Sequence, residues 1–130
     1  MLDIDHFKSI NDTYGHDVGD KVLINVARSL VQNIREVDIV GRWGGEEFII
    51  LVQEDIVGAS ILAEKLRIKI MEQCYEANVK VTASFGLAQY FNGEPIDSLV
   101  RRADQGLYKA KNNGRNKVEY GPYFSVIEMS

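Results

Sequence analysis

The sequence predicts an α+β domain in which helices pack on a largely antiparallel sheet, and three patterns carry that expectation. Val22, Leu23, Val26, Ala27, Leu30, Val31 and Ile34 recur at helical spacing, as do Ala59, Leu62, Ala63, Leu66, Ile70 and Cys74. Two short apolar runs, Ile39 to Trp43 and Phe48 to Val52, flank Gly44-Gly45-Glu46-Glu47 as the strands of a hairpin would. Further on, Val79, Val81, Ala83 and Phe85 alternate with Lys80, Thr82 and Ser84, the period of a half-buried strand.

Taken in order, Met1 to Ile4 reads as the end of a strand. A short helix then runs through Phe7 and Ile10 and stops near Gly15, and a longer one spans about Asp17 to Ile34. After the hairpin, Asp55 is the N-cap of a helix reaching about Tyr75, because its carboxylate can accept from a free amide of the first turn. The alternating strand leads to a turn at Asn92-Gly93-Glu94-Pro95 and a helix from Ile96 to about Asn112, which Gly114 ends. Asn116 to Tyr120 forms a last short strand, so residues 1–120 make one domain and residues 121–130 a tail without a motif.

The bulk properties exclude several classes. The 130 residues suit a single core, and no apolar run is long enough to span a membrane. No signal-peptide pattern opens the chain, so a cytoplasmic setting without membrane contact is expected. Cys74 is the only cysteine, which rules out an internal disulfide, and its helical, apolar neighbourhood assigns it to packing. A net charge of -4 argues against a nucleic-acid polymer as partner. Arg101, Arg102, Lys109, Lys111, Arg115 and Lys117 nevertheless crowd one segment, which read alone is a solvated helix face whose cations favour the helix C-terminus.

The chemistry-bearing stretch is Gly44 to Phe48. Glycines allow positive φ and close approach of a bulky anion, and adjacent carboxylates offer hard oxygen ligands to Mg²⁺. A second acidic pair, Asp3 and Asp5, shares one side of an extended start. Alone, a Gly-Gly-Glu-Glu hairpin tip is more often a solvated turn. Trp43 is assigned to packing, and His16 to satisfying nearby backbone groups in its turn.

Five stretches together resemble the GGDEF family of diguanylate cyclases: Asp3 to Lys8, Ile10 to His16 with Gly19-Asp20, Arg35 with Asp38, Gly44 to Phe48, and Arg102-Ala103-Asp104 on to Asn116. They stand in the family's order and approximate spacing. The resemblance implies a palm-like fold and condensation of two GTP into cyclic di-GMP and pyrophosphate. It implies two Mg²⁺ or Mn²⁺ ions per active site, held by Asp3, Glu46 and the Ile4 carbonyl, with Glu47 either joining the second ion or assisting deprotonation. The N–H groups of His6, Phe7 and Lys8, the open backbone of Gly44 and Gly45, and the cations of Lys111 and Arg115 would receive phosphates. Asn11 and Asp20 would read guanine, although both residue types are also common at helix starts. Arg35 and Asp38 match the family's inhibitory product site, where Lys65 stands in place of a frequent arginine and points to weaker inhibition.

Each domain would hold one GTP, so catalysis implies a homodimer, usually brought together by an upstream sensory or receiver domain. The family's preceding helix and complete first strand have no counterpart here. The expectation is a poorly active or unusually associated chain, with apolar surface and backbone groups left over at the first strand. The alternatives are a non-catalytic module of the same fold that binds GTP or cyclic di-GMP, and, more distantly, a mononucleotide cyclase, which the Arg35/Asp38 pair disfavours.

Overall fold

The computed structural model describes residues 1–124; of the tail read from the sequence, residues 125–130 lie outside the described residues. The order is β1 (Leu2–Ile4), α1 (Phe7–Tyr14), α2 (His16–Asn33), β2 (Ile39–Arg42), β3 (Glu47–Leu51), α3 (Ile56–Glu72), a single 3₁₀ turn (Glu76–Asn78), β4 (Ala83–Leu87), α4 (Ile96–Asn112) and β5 (Val118–Tyr120). The five strands form one sheet in the order β2-β3-β1-β4-β5. All pairings are antiparallel except β4 with β5, which is parallel.

The shortest strands include the central one. β1 is buried along its whole length and pairs on both sides, Leu2 opposite Phe48 and Phe85, Asp3 opposite Glu47 and Ser84. Met1 continues the ladder by accepting from the Gly86 amide at 2.8 Å. Beyond it lies a cavity of about 360 Å³ with Ile50, Val52, Leu66, Leu87, Leu99 and Val100 in its wall, and Leu2–Ile4 has a strand partner on each side.

The helices bury the stripes their spacing implied. Val22, Val26 and Leu30 of α2 and Leu66 and Ile70 of α3 are at most 1% exposed, each worth about 1.5–3 kcal/mol of hydrophobic burial. Asp55 caps α3 by accepting from the Gly58 amide at 2.9 Å, as its position predicted. Gly15 separates α1 from α2 at φ 91°, a conformation open to glycine, while its amide caps α1 on the Asn11 carbonyl.

Several expectations are corrected. The strand read from the alternation at residues 79–85 forms at Ala83–Leu87 instead, and every residue of it is buried. Alternation marks a sheet with one wet face; β4 has α3 and α4 packed against it, and even its polar Ser84 is buried, with its hydroxyl donated to Asp5. Cys74 lies beyond the end of α3 and is exposed, because Tyr75 takes the inward position and donates its hydroxyl to the Ile70 carbonyl at 2.8 Å. Trp43 is 59% exposed on the hairpin and does not pack into the core. His16 is exposed, and its ring makes no hydrogen bond among the described residues. Arg102 is not a solvated cation either. It is buried, donates to Glu94 at 2.8 and 2.6 Å, and reaches the carbonyls of Gln89 and Pro122, tying the start of α4 to the segment after β5.

Candidate functional site

The antiparallel register of β1 and β3 creates the site. It sets Asp3 opposite Glu47, and the Ile4 amide donates to the Glu46 carbonyl at 3.2 Å, so the hairpin turn is fastened to the central strand at the two glutamates. The turn closes with the amides of Trp43 and Gly44 donating to the Glu47 carbonyl at 2.8 and 3.3 Å. Arg42, at the end of β2, reaches over it and donates to the carbonyls of Gly44 and Gly45, the shortest contact being 2.6 Å. Neither Gly44 nor Gly45 adopts positive φ, so the conformational reason expected for these glycines does not hold. A Cβ on Gly45 would meet nothing within 4 Å, and one on Gly44 only the Glu47 side chain at ordinary contact distance, so the fold itself does not require glycine at either position.

Asp3 is buried and pairs through Oδ2 with Lys111 Nζ from the last turn of α4. Its Oδ1 is buried with no hydrogen-bond partner. Burial pushes the Asp3 carboxyl above its usual range; the hydrogen bond and charge of Lys111 act against this, and the charges of Glu46 and Glu47 reinforce it. An orphaned carboxylate oxygen beside two further carboxylates is a donor set suited to a hard divalent cation. Among the described residues no three such side chains close on a common point.

The same end of β1, beyond Ile4 and Asp5, leads into the segment expected from the sequence to meet phosphates. His6 stands at φ 56° as the N-cap of α1 with no side-chain cap, and Phe7 and Lys8 follow as the first helical residues, whose amides precede any intrahelical acceptor. Past α4, Gly114, Arg115 and Asn116 all have positive φ, at 113°, 66° and 48°. Lys111 and Arg115 thus lie on the helix and beyond it, and the Arg115 side chain is exposed without an ion-pair partner among the described residues.

Asn11 and Asp20 sit across the α1–α2 crossing. A Cβ on Gly19 would come within 1.7 Å of Asn11 Oδ1, so only glycine there lets α2 approach this side chain. Asp20 is exposed. The Arg35/Asp38 pair is remote from Asp3 in the chain and differently built. Both Asp38 oxygens are occupied, by the amides of Arg35 at 3.0 Å and Gln53 at 3.2 Å. Burial opposes ionisation of Asp38, but these amides and the Arg35 guanidinium outweigh it and hold the carboxyl below its usual range. The Arg35 side chain is 52% exposed, bonded to the Gln53 carbonyl and paired with Glu54 at 3.0 Å.

With this geometry in place, the chain was compared with known proteins. The family described as "Diguanylate cyclase, GGDEF domain" matches residues 1–117. The chain belongs to the GGDEF family. Among curated relatives of this GGDEF domain, the diguanylate cyclase DgcM of Escherichia coli K12 is 43% identical over 119 residues, covering 91% of the chain and 29% of that protein. The response regulator PleD of Caulobacter vibrioides is 38% identical over 125 residues, covering 91% of the chain and 28% of its own length. The chain therefore spans less than a third of these relatives. Of solved structures, the GGDEF domain of DgcB from Caulobacter crescentus in complex with c-di-GMP superposes with a TM-score of 0.86 at 36% identity, covering 92% of this chain and 74% of that one. The active GGEEF domain of a Vibrio cholerae diguanylate cyclase gives 0.84 at 38% identity, over 95% and 81% of the two chains. The palm-like α+β class expected from the sequence is thereby the observed fold.

Sequence reasoning about this GGDEF domain missed Arg42, which holds the turn, and gave no role to Asp5 or Gly19. An arginine two residues before a Gly-Gly turn is a readable signal, since its guanidinium can bridge the bare carbonyls of the turn. Asp5 could not be separated from Asp3 by spacing; only the end of β1 at Ile4 divides them.

Proposed function

We propose that the domain is a diguanylate cyclase that condenses two GTP into cyclic di-GMP and two pyrophosphates. The observation that carries this reading is the meeting of a buried Asp3, one oxygen unpartnered, with the Glu46–Glu47 turn and Lys111 across paired strands. In each half of the reaction a ribose 3′-oxygen bonds to an α-phosphorus, the bond from that phosphorus to pyrophosphate breaks, and the hydroxyl proton departs. Two Mg²⁺ or Mn²⁺ ions per site would supply charge neutralisation and a more acidic hydroxyl. Asp3, Glu46 and the Ile4 carbonyl would hold them, with Glu47 as a further ligand or as proton acceptor.

The remaining residues bind and align. The amides of His6, Phe7 and Lys8 offer unpaired donors to the terminal phosphates, and Lys111 and Arg115 offer charge. Bare backbone at Gly44 and Gly45 leaves room for the triphosphate. Asp20 accepts from the N1–H and 2-amino groups of guanine, and the Asn11 side-chain amide adds a hydrogen bond to the same base. With one GTP per domain, two domains must meet face to face, so the working form is a homodimer and an upstream sensory or receiver domain governs the encounter. Cyclic di-GMP would inhibit at the Arg35/Asp38 pair, where the exposed Arg35 offers its guanidinium to the ligand and Asp38, already bonded to the Arg35 amide, holds that turn in place.

Incubation with GTP and Mg²⁺, with products resolved by mass, tests the reading. Cyclic di-GMP that disappears in the Glu46→Ala/Glu47→Ala variant is the expected result. A mononucleotide product, or bound GTP without turnover, would overturn it.

A further inference from the structure

We infer that Asp5 is a positioning residue that fastens both proposed phosphate-binding elements to one buried point. The inference rests on the cyclase reading, which makes the GTP phosphates the ligand of those elements. Asp5 is 5% exposed, and its carboxylate is spent within the chain. Oδ1 accepts from the Ser84 hydroxyl at 2.6 Å, and Oδ2 accepts from the Thr82 hydroxyl at 2.7 Å and the Asn116 amide at 3.0 Å. Its own amide donates to the Thr82 carbonyl at 2.9 Å.

Two strained segments flank this residue. His6, its chain neighbour, stands at φ 56°, and the Asn116 amide that it binds belongs to a run in which Arg115 and Asn116 stand at 66° and 48°. Left-handed backbone at non-glycine residues persists where surrounding bonds over-determine it. Asp5 supplies such a bond to the second segment and borders the first. Arg67 adds a second tether, donating to Asn116 Oδ1 at 2.9 Å. Release of the Asn116 amide would let Arg115 relax toward ordinary φ and carry its guanidinium with it.

The contact chemistry also separates this role from metal binding. An asparagine at position 5 can keep all three contacts: its amide oxygen accepts from Thr82 and Asn116, and its NH₂ donates to Ser84, whose hydroxyl rotates to accept. As a metal ligand the same substitution would be damaging, since the charge is lost.

The test measures binding of GDP, which has no pyrophosphate to release, and of guanosine, which lacks phosphate, by calorimetry, alongside kcat and KM for GTP. Asp5→Ala is expected to weaken GDP and raise KM by roughly tenfold, with guanosine affinity within about twofold, as loss of a charged buried hydrogen bond implies. Asp5→Asn should restore GDP affinity to within about threefold of the parent. If Asp5→Ala does not fold, Thr82→Val removes one donor to the same oxygen and should weaken GDP alone by about threefold. Equal loss of GDP and guanosine, or an Asp5→Asn variant as impaired as Asp5→Ala, would overturn the positioning role. A parent protein that binds neither GDP nor GTP would instead overturn the cyclase reading and remove the ligand on which this inference depends.

Discussion

Two buried aspartates in this domain have opposite surroundings. Asp38, in the turn between α2 and β2, has an amide on each oxygen and an arginine beside it, and its carboxyl is held below the usual range. Asp3, on the central strand, has one oxygen without a partner, two carboxylates nearby and a raised carboxyl. Both are removed from water, so burial alone does not distinguish a residue that organises the chain from one held ready for a ligand. Satisfaction of the oxygens does. A saturated carboxylate stabilises the fold, whereas an unsaturated one is kept at a cost that a cation can relieve.

The largest effect that would break this comparison is expected at Asp3. Asp3→Asn should lower cyclic di-GMP formation on the order of a thousandfold or more, from lost transition-state charge stabilisation, while the melting temperature stays level or rises. Initial rates by chromatography and a thermal melt check both halves. A large fall in stability would erase the distinction between the two aspartates.

Asp38→Ala should behave in reverse. Two partly buried amides lose their acceptor, and urea unfolding should show a loss of about 2 kcal/mol, with the rate at low product concentration within a few-fold of the parent.

The pH dependence of stability sharpens the contrast. Asp38 and Glu94 have folded pKa values below their ordinary 3.8 and 4.5, so the stability they contribute is present above those values and lost as pH falls through the folded ones. For Glu94 the chief cause is its hydrogen bond from Arg102. Asp3 has the opposite sign: its folded pKa is raised, the folded state holds the proton longer, and stability declines as pH rises from 3.8 through the folded value. Urea midpoints measured across this acid range should fall less steeply on acidification in Asp38→Asn than in the parent, and should lose the opposing component in Asp3→Asn.

The smallest effect on the fold belongs to Arg35→Ala. Its side chain is 52% exposed, and Asp38 keeps both backbone donors without it, so stability should change by about 0.5 kcal/mol. Inhibition by added cyclic di-GMP should weaken at least tenfold in rate assays.

Most of the fold was legible because its helices bury one stripe each and its hairpin is local. Residues 79–85 were read as a half-buried strand, but the strand that forms is sealed on both faces and begins only at Ala83. Periodicity reports how many faces are wet, not where pairing starts. In the site, the candidate carboxylates were readable as residue types, and the register that sets Asp3 against Glu47 was not, because it is fixed by partners far apart in sequence. Gly44 and Gly45 show the same limit: their composition was evident, their φ was not. Asp5 escaped a role because its partners, the Thr82 and Ser84 hydroxyls and the Asn116 amide, lie far away in the chain, whereas Arg42 left a signal in its place before the Gly-Gly turn.

The central strand is only three residues long and joins the two halves of the sheet. Asp3 therefore sits where local opening is forbidden: freeing it means separating β3 from β4, which is global unfolding. Amide exchange at Asp3 and Ile4 should match the slowest exchange anywhere in the domain, while Gly45 at the tip of the hairpin exchanges freely. One side of the site thus has the rigidity of the whole molecule, and Glu47, paired with Asp3 across the same strands, shares it, so only the Gly45 tip of the turn keeps the freedom of a surface position.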